Sequence, residues 1–339
     1  MKAALSASPA LTVREAASRI VARQVRELLR WEKGARRGAD PEAVHQMRVQ
    51  VRRLRAALAL FAPVVRPPRR AGRPRLRWLA RTLGRVRDLD VVTALLEDRH
   101  LPQLEGVEAA RLEDLLAALK ERRWRAQRKL TASLERGRYA KLERALRDFA
   151  RRPRFVSRGR EEAMAARHLT EVIHREARRL ATHPGMTERR PVAGDLHALR
   201  IAIKRLRYVL EFHAETCGIA FDEERRLTRL LQDCLGEIHD HDVLLAWLGG
   251  GGERRVPEPP VEASLFAGAW RVLPERLAAE RARLERRFLR LRRQWLARTE
   301  PAGAVAPIEA PRFVRLEAAP VQLRLAPAQK TVASLRIVR

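Results

Sequence analysis

Cysteine is almost missing from this sequence. Its two cysteines, Cys217 and Cys234, have neither metal-type spacing nor a framework of partners. That excludes a disulfide scaffold and fits two small buried side chains in a reducing compartment. Aromatic residues are scarce, at 5% of 339 positions, too few for the interleaved stacking platforms of single-stranded nucleic-acid binders. No apolar run approaches the roughly 20 residues of a membrane span. The N-terminal MKAALSASPALTV has no stretch suited to a secretory signal. The expectation is a soluble, cytoplasmic protein without a membrane partner. Catalytic signatures are lacking too. The chain has no phosphate-cradling glycine loop, no G-x-S-x-G, no H-E-x-x-H and no acidic cluster suited to Mg²⁺. These absences point away from an enzyme and imply no cofactor, catalytic residue or metal.

Positive charge is what the chain has in excess. Lys and Arg number 71 against 41 Asp and Glu, a formal net charge of +30. Lysine supplies few of these cations and arginine nearly all. Self-repulsion of this size disfavours a compact state unless polyanions or counterions neutralise it. The expected partner is therefore a polyanion: nucleic acid, inorganic polyphosphate or an anionic membrane face. A basic compositional bias would raise the arginine count, but it would not repeat arginine positions.

Positions do repeat. Val44–Pro63, VHQMRVQVRRLRAALALFAP, returns as Leu196–Glu215, LHALRIAIKRLRYVLEFHAE. LGRVRDLDV at Leu83–Val91 returns as LGEIHDHDV at Leu235–Val243, at the same offset of 152 residues. Two matches at one offset mark a duplicated unit.

Hydrophobic periodicity reads as helix throughout. The first helix runs from Val13 to Trp31, with Val13, Ala16, Ala17, Ile20, Val21, Val25, Leu28 and Leu29 on one stripe. Asp40-Pro41 opens the second as N-cap and first-turn proline, and Pro63 closes it. Further helices are expected from about Arg75 to Asp98, Glu105 to Arg136 and Tyr139 to Arg151, followed by a linker over Arg152–Gly159. The second half replays the order from about Arg160 to Thr182, Ala193 to Ala214, Phe221 to Leu248 and Val261 to Thr299. The six tryptophans lie within helical runs and read as core or interface residues. The predicted fold class is all-α: two pseudo-symmetric bundles of about four helices each, forming one basic-grooved domain over 12–299. Its halves are 12–152 and 160–299. Residues 300–339 form an Ala/Pro-rich tail with short period-two runs at Val321–Leu325 and Ser334–Val338.

On a wheel of about 100° per residue with His45 at zero, Arg48, Arg52 and Arg55 fall at about 300°, 340° and 280°. Met47, Val51, Leu54, Leu58 and Phe61 fall between about 160° and 240°. The cations flank the apolar stripe, where neighbouring helices converge and a groove wall forms; a merely solvated face lies opposite the core. His197, Arg200, Lys204 and Arg207 repeat the placement. Arg53 and Arg205 fall at about 80°, off both stripes. Cations on successive turns sit about 5 Å apart along the axis, a ladder that a linear polyanion can follow. The planar guanidinium fork gives two hydrogen bonds to one phosphate. His45 and His197 either donate to phosphate or hold the helix in place.

The run His239-Asp240-His241-Asp242 also fits a metal-dependent phosphohydrolase using Asp88, Asp90, Asp240 and Asp242. Its counterpart Arg87-Asp88-Leu89-Asp90 keeps only the aspartates. Residues two apart on a helix face different ways, so one Asp of each pair is expected to meet an arginine. Aspartates that orient the arginine ladder are the favoured reading. Mid-helix Gly84 and Gly236, each at a cost of about 1 kcal/mol, suggest close helix approach.

The paired H-x-x-R-x-x-x-[RK]-R-L-R helices and paired LG-x-x-x-D-x-D-V segments resemble the CHAD domain, the conserved histidine α-helical domain, over roughly Thr12 to Thr299. The resemblance implies a pseudo-two-fold helical domain that binds inorganic polyphosphate and can target proteins to polyphosphate granules. Carried over by position, the binding residues are His45, Arg48, Arg52, Arg53, Arg55, His197, Arg200, Lys204, Arg205 and Arg207. Tyr208 follows the second motif as in the family, whereas the first copy has Ala56. Non-enzymatic polyphosphate binding is the leading expectation, with a general nucleic-acid binder and the metal-dependent phosphohydrolase as alternatives.

Overall fold

The structure, a computed structural model, describes residues 11–156, 163–218, 221–248, 261–266 and 270–299. The tail and its two period-two runs lie outside them. The described residues are all-α. Their β-type pairing is limited to two isolated bridges, Thr12 with Met164 and Val65 with Phe155.

The first half comprises α1 (Val13–Arg30), α2 (Glu32–Arg37), α3 (Pro41–Leu60), α4 (Arg73–Ala94), α5 (Gly106–Glu135) and α6 (Gly137–Arg151). The second comprises α7 (Ala165–Ala181), α8 (Pro184–Thr187), α9 (Ala193–Cys217), α10 (Asp222–Leu248), α11 (Ala263–Phe266) and α12 (Val272–Thr299). Local chemistry sets the boundaries. A reciprocal Thr12–Glu15 capping box starts α1. The Asp40 carboxylate accepts from the Glu42 N–H at the head of α3, with Pro41 in the first turn. Gly218, at φ 67°, supplies the left-handed residue that ends α9.

The packing order repeats. α3 lies between α1 and α4, and α4 packs on α5; α9 lies between α7 and α10, and α10 packs on α12. α6 adds a layer on α1 and α5 that has no counterpart among the described residues of the second half. The apolar stripe of α3 is buried as its periodicity requires, with Met47, Val51 and Leu54 fully covered.

Three apolar cores result. One fills the first half and takes in Tyr208 and Phe212 of α9. A second fills the second half around Ile203, Leu231, Phe288 and Trp295. A third joins Leu96, Leu112, Leu115 and Leu119 of the first half to Leu244, Trp247, Phe266, Leu273 and Leu277 of the second. Each such leucine contributes roughly 1.5–3 kcal/mol on burial, so the halves are fused through apolar contact. The chain also clasps itself at the junction: Val13 N–H donates to Ala163 O, and Ala165 N–H to Leu11 O, both at 2.8 Å.

Four sequence expectations need correction. The last helix begins at Val272, not Val261, and the short α11 precedes it. α4 stops being α-helical at Ala94; one π-helical turn, Leu95–His100, and a 3₁₀ turn, Leu101–Gln103, carry the chain onward. Pro102 lacks the N–H needed to extend an α-helix there. Trp124 is no core residue: it is 52% exposed, with the Arg128 guanidinium 4.8 Å over its ring. Gly84 and Gly236 face arginine side chains rather than a neighbouring helix backbone, and only at Gly84 would a β-carbon crowd its arginine.

Candidate functional site

α3 and α9, the two repeated helices, touch each other, and this contact brings the two cation ladders into one place. From α3, Arg48 reaches across to α4. Its Nη1 donates to Ala80 O at 3.2 Å, and its Nη2 lies 3.6 Å from Asp88 Oδ1. Gly84 permits this. A β-carbon there would stand 2.7 Å from Arg48 Nη1. From α9, Arg200 lies over Gly236 in the corresponding way, with Nε and Nη2 both 3.8 Å from where a β-carbon would be.

Lys204 stands among these arginines. Burial, then the charges of Arg200, Arg52, Arg48 and Arg207, push its ammonium down to about 7. The list of cations is informative: two come from α3 and two from α9, so both copies of the repeat bear on one amine. Burial likewise lowers the Arg52 guanidinium, with Arg48, Arg207 and Arg87 adding to the effect. Among the described residues neither Arg52 nor Lys204 has an ion-pair partner, and Arg52 Nε is buried without a hydrogen bond.

Two carboxylates face this group. Asp88 feels Arg48, Arg200, Arg87 and Arg52; Asp240 feels Arg200, Lys204 and also Asp88. Crowding by protein pushes both carboxyls upward. Asp88 is nevertheless 73% exposed along its side chain, so it is open to solvent on one side. The open side keeps it hydrated, and the arginines around it favour its charged form against burial.

The second aspartate of each motif does something else. Asp90 Oδ1 lies 2.9 Å from Arg123 Nε on α5, and Asp242 Oδ1 lies 2.5 Å from Arg281 Nε on α12. In the first motif both aspartates therefore meet an arginine, Asp88 the ladder's Arg48 and Asp90 Arg123, where the i, i+2 spacing predicts one. Arg123 and Arg281 belong to the next helix in the packing order and not to the ladder.

The predicted site residues therefore divide. Arg48, Arg52, Arg200, Lys204 and Arg207 form one cluster. Arg207 Nε is also 3.2 Å from Glu211 Oε1. His45 borders the cluster; burial and Arg87, Arg52 and Arg48 lower its pKa, leaving it neutral at pH 7. His197 borders the other end, its ring 5.0 Å from that of His239. Burial, then Arg200, His197 and Lys204, push His239 down to about 4.

Three residues fall outside. Arg53 is 16% exposed and pairs with Glu211 and Glu215 of α9, while its Nε donates to Gln24 at 3.1 Å; its guanidinium lies over the Phe212 ring. It ties the halves together. Arg205, its repeat counterpart, is exposed and has no ion-pair partner among the described residues, because Ala59 and Pro63 stand where Glu211 and Glu215 would be. Arg55 faces Arg77 and Arg73, which with burial lower its pKa, away from the central cluster.

Two participants were missed from the sequence. Arg87 and His239 occupy the same position of the second repeated motif, each just before the first aspartate, and each borders the cluster. A basic or imidazole side chain in both copies was the available signal.

The CHAD domain family model matches residues 19–249, and the chain belongs to that family, one associated with polyphosphate binding. Its fold is similar to that of the CHAD domain from the plant Ricinus communis, with a TM-score of 0.58 at 24% identity, over 88% of this chain and 90% of that one. It is also similar to PptA from Streptomyces chartreusis, with a TM-score of 0.60 at 17% identity, over 85% of this chain and 99% of that one. No curated protein matches the sequence. No helix among the described residues is long and apolar enough to cross a membrane.

Proposed function

We propose that the α3–α9 surface binds inorganic polyphosphate and that the protein is a binder, not an enzyme. One observation carries this reading: the two cation ladders converge on Lys204, whose ammonium is pushed down to about 7 by burial first and then by two arginines from each ladder. Such a cluster is unfavourable alone and favourable once a polyanion lies against it. A chain of phosphates, negative along its whole length and without bases to read, is the ligand that asks only for charge and forked donors. Arg48, Arg52, Arg200, Lys204 and Arg207 contact phosphate in this proposal. Asp88 and Asp240 hold Arg48 and Arg200 in place from behind. Targeting to polyphosphate granules would follow from such binding. The phosphohydrolase alternative is weakened, since Arg123 and Arg281 occupy Asp90 and Asp242.

The test is direct. Long-chain polyphosphate and duplex DNA are titrated against the chain at one salt concentration, and phosphate release is followed with Mg²⁺ or Mn²⁺ present. Tighter binding of polyphosphate without phosphate release supports the reading. Equal affinity for DNA favours a general nucleic-acid binder. Phosphate release abolished by Asp240→Ala favours an enzyme.

A further inference from the structure

A second polar cluster lies apart from the cation ladders, beside the third apolar core. His100 closes the π-helical turn after α4 and is fully buried. His241 of α10 is 1% exposed. Glu280 of α12 reaches in beside them, its Oε2 3.2 Å from His241 Nε2. One potential ligand atom from each of the three lies within 4.8 Å of the others.

The hydrogen bonding of these groups is incomplete in a specific way. His241 Nδ1 lies 2.8 Å from the carbonyl oxygen of Glu237. A carbonyl only accepts, so Nδ1 carries the proton and donates. In neutral imidazole that leaves Nε2 as a bare lone pair, aimed at a carboxylate oxygen. Both ring nitrogens of His100 are buried without any hydrogen-bond partner. Burial holds the His100 ring neutral, the form in which it ligates. With that tautomer, three electron-pair donors converge on one point, an arrangement that is costly when left unsatisfied.

We propose that His100, His241 and Glu280 bind one divalent transition-metal ion, of which zinc is the best match. Two imidazoles and a carboxylate suit zinc. For bonds of about 2.0–2.1 Å in tetrahedral geometry, ligand atoms stand roughly 3.3 Å apart, close to the His241–Glu280 spacing. The outer contacts have the form expected of a metal site. Glu237 O fixes the His241 tautomer. Asp242 and Arg281, the sequence neighbours of His241 and Glu280, pin α10 to α12 at 2.5 Å. The Glu237 carboxylate lies 3.4 Å from Arg99, next to His100. The ligands come from both halves of the chain, so the ion acts as a staple between them and needs no part in anion binding.

The probes are Zn²⁺ and Co²⁺ added to tag-free chain that has been stripped with chelator and freed of polyphosphate. The expected result is one ion per chain by calorimetry, cobalt absorbance of a low-coordinate N/O site, and a rise in Tm with Zn²⁺ that chelator reverses. Glu280→Gln and His100→Gln each weaken affinity by at least about a hundredfold. Glu280 is only part-buried, so its variant keeps the fold even if the His100 variant does not. The alternative state, His241 as an imidazolium paired with Glu280, binds no ion. Absence of stoichiometric binding, or binding undiminished in Glu280→Gln, overturns the proposal. Neither outcome bears on polyphosphate affinity, which is read separately.

Discussion

Arg48 lies directly over Gly84. The guanidinium takes the space a side chain would need, with 2.7 Å from Nη1 to the place of a β-carbon. At the repeat position Arg200 leaves 3.8 Å over Gly236. The two glycines are equivalent in sequence and unequal in space.

That inequality yields a paired prediction. Gly→Ala in a helix interior stabilises by about 1 kcal/mol. Gly236→Ala therefore raises Tm and leaves polyphosphate affinity unchanged. Gly84→Ala also folds, because the obstructing atom is the end of a flexible side chain, but it displaces Arg48 and lowers affinity several-fold. Thermal melts and binding isotherms of the two variants check this.

Arg52 and Arg53 are neighbours with opposite duties. Arg53→Met removes the cation that Glu211 and Glu215, one turn apart on α9, share from across the α3–α9 contact, leaving them Arg207 and Arg23. Removing one partner of a buried pair costs about 3–5 kcal/mol, and partial exposure here brings the expectation to about 2–3 kcal/mol. Polyphosphate affinity of the folded variant changes little. Arg52→Met does the reverse: affinity falls, while stability holds or rises as repulsion is relieved. Chemical denaturation beside binding measurements separates them. Arg205→Ala changes neither.

Lys204 gives the binding a pH signature. Its folded pKa of about 7 lies below the unfolded value of about 10.4. Between those values the unfolded chain binds more protons, so this residue makes stability rise with pH over that window, with its penalty fully present below pH 7. A bound polyanion raises the pKa again. At pH 8 the free amine is mostly neutral, so binding takes up to about 0.9 proton at this residue, and affinity declines as pH rises. Calorimetry in buffers of different ionisation enthalpy measures the uptake. Lys204→Arg abolishes the Lys204 contribution and retains affinity at high pH.

Much of this arrangement is legible in the sequence. The 100° period alone places Arg48, Arg52, Arg200 and Lys204 beside the apolar stripe and sets Arg53 apart from them. It does not say what Arg53 meets, because Glu211 is 158 residues away and the contact exists only once α3 packs on α9. The repeated aspartates announce ion pairs with arginine; that Asp88 and Asp90 both find one, and that Asp90 and Asp242 find theirs on α5 and α12, is not legible, since no motif marks Arg123 or Arg281. The metal-type reading of His239–Asp242 falls on the segment that carries His241. His241 finds its partners at His100, set by a π-helical turn, and at Glu280, and neither position is marked by periodicity.

The central claim is that a specific cluster, and not bulk charge, holds the polyanion. The deciding measurement is the salt dependence of polyphosphate affinity for three chains: the unaltered one, Arg52→Ala/Arg200→Ala, and Arg111→Ala/Arg122→Ala, which removes the same charge from the exposed face of α5. Each phosphate contact adds roughly −0.7 to −0.9 to the slope of log K against log salt. The account predicts a slope near that of the unaltered chain for the α5 variant and a slope shallower by about 1.5, with a large loss of affinity, for Arg52→Ala/Arg200→Ala. Equal losses in the two variants would contradict it.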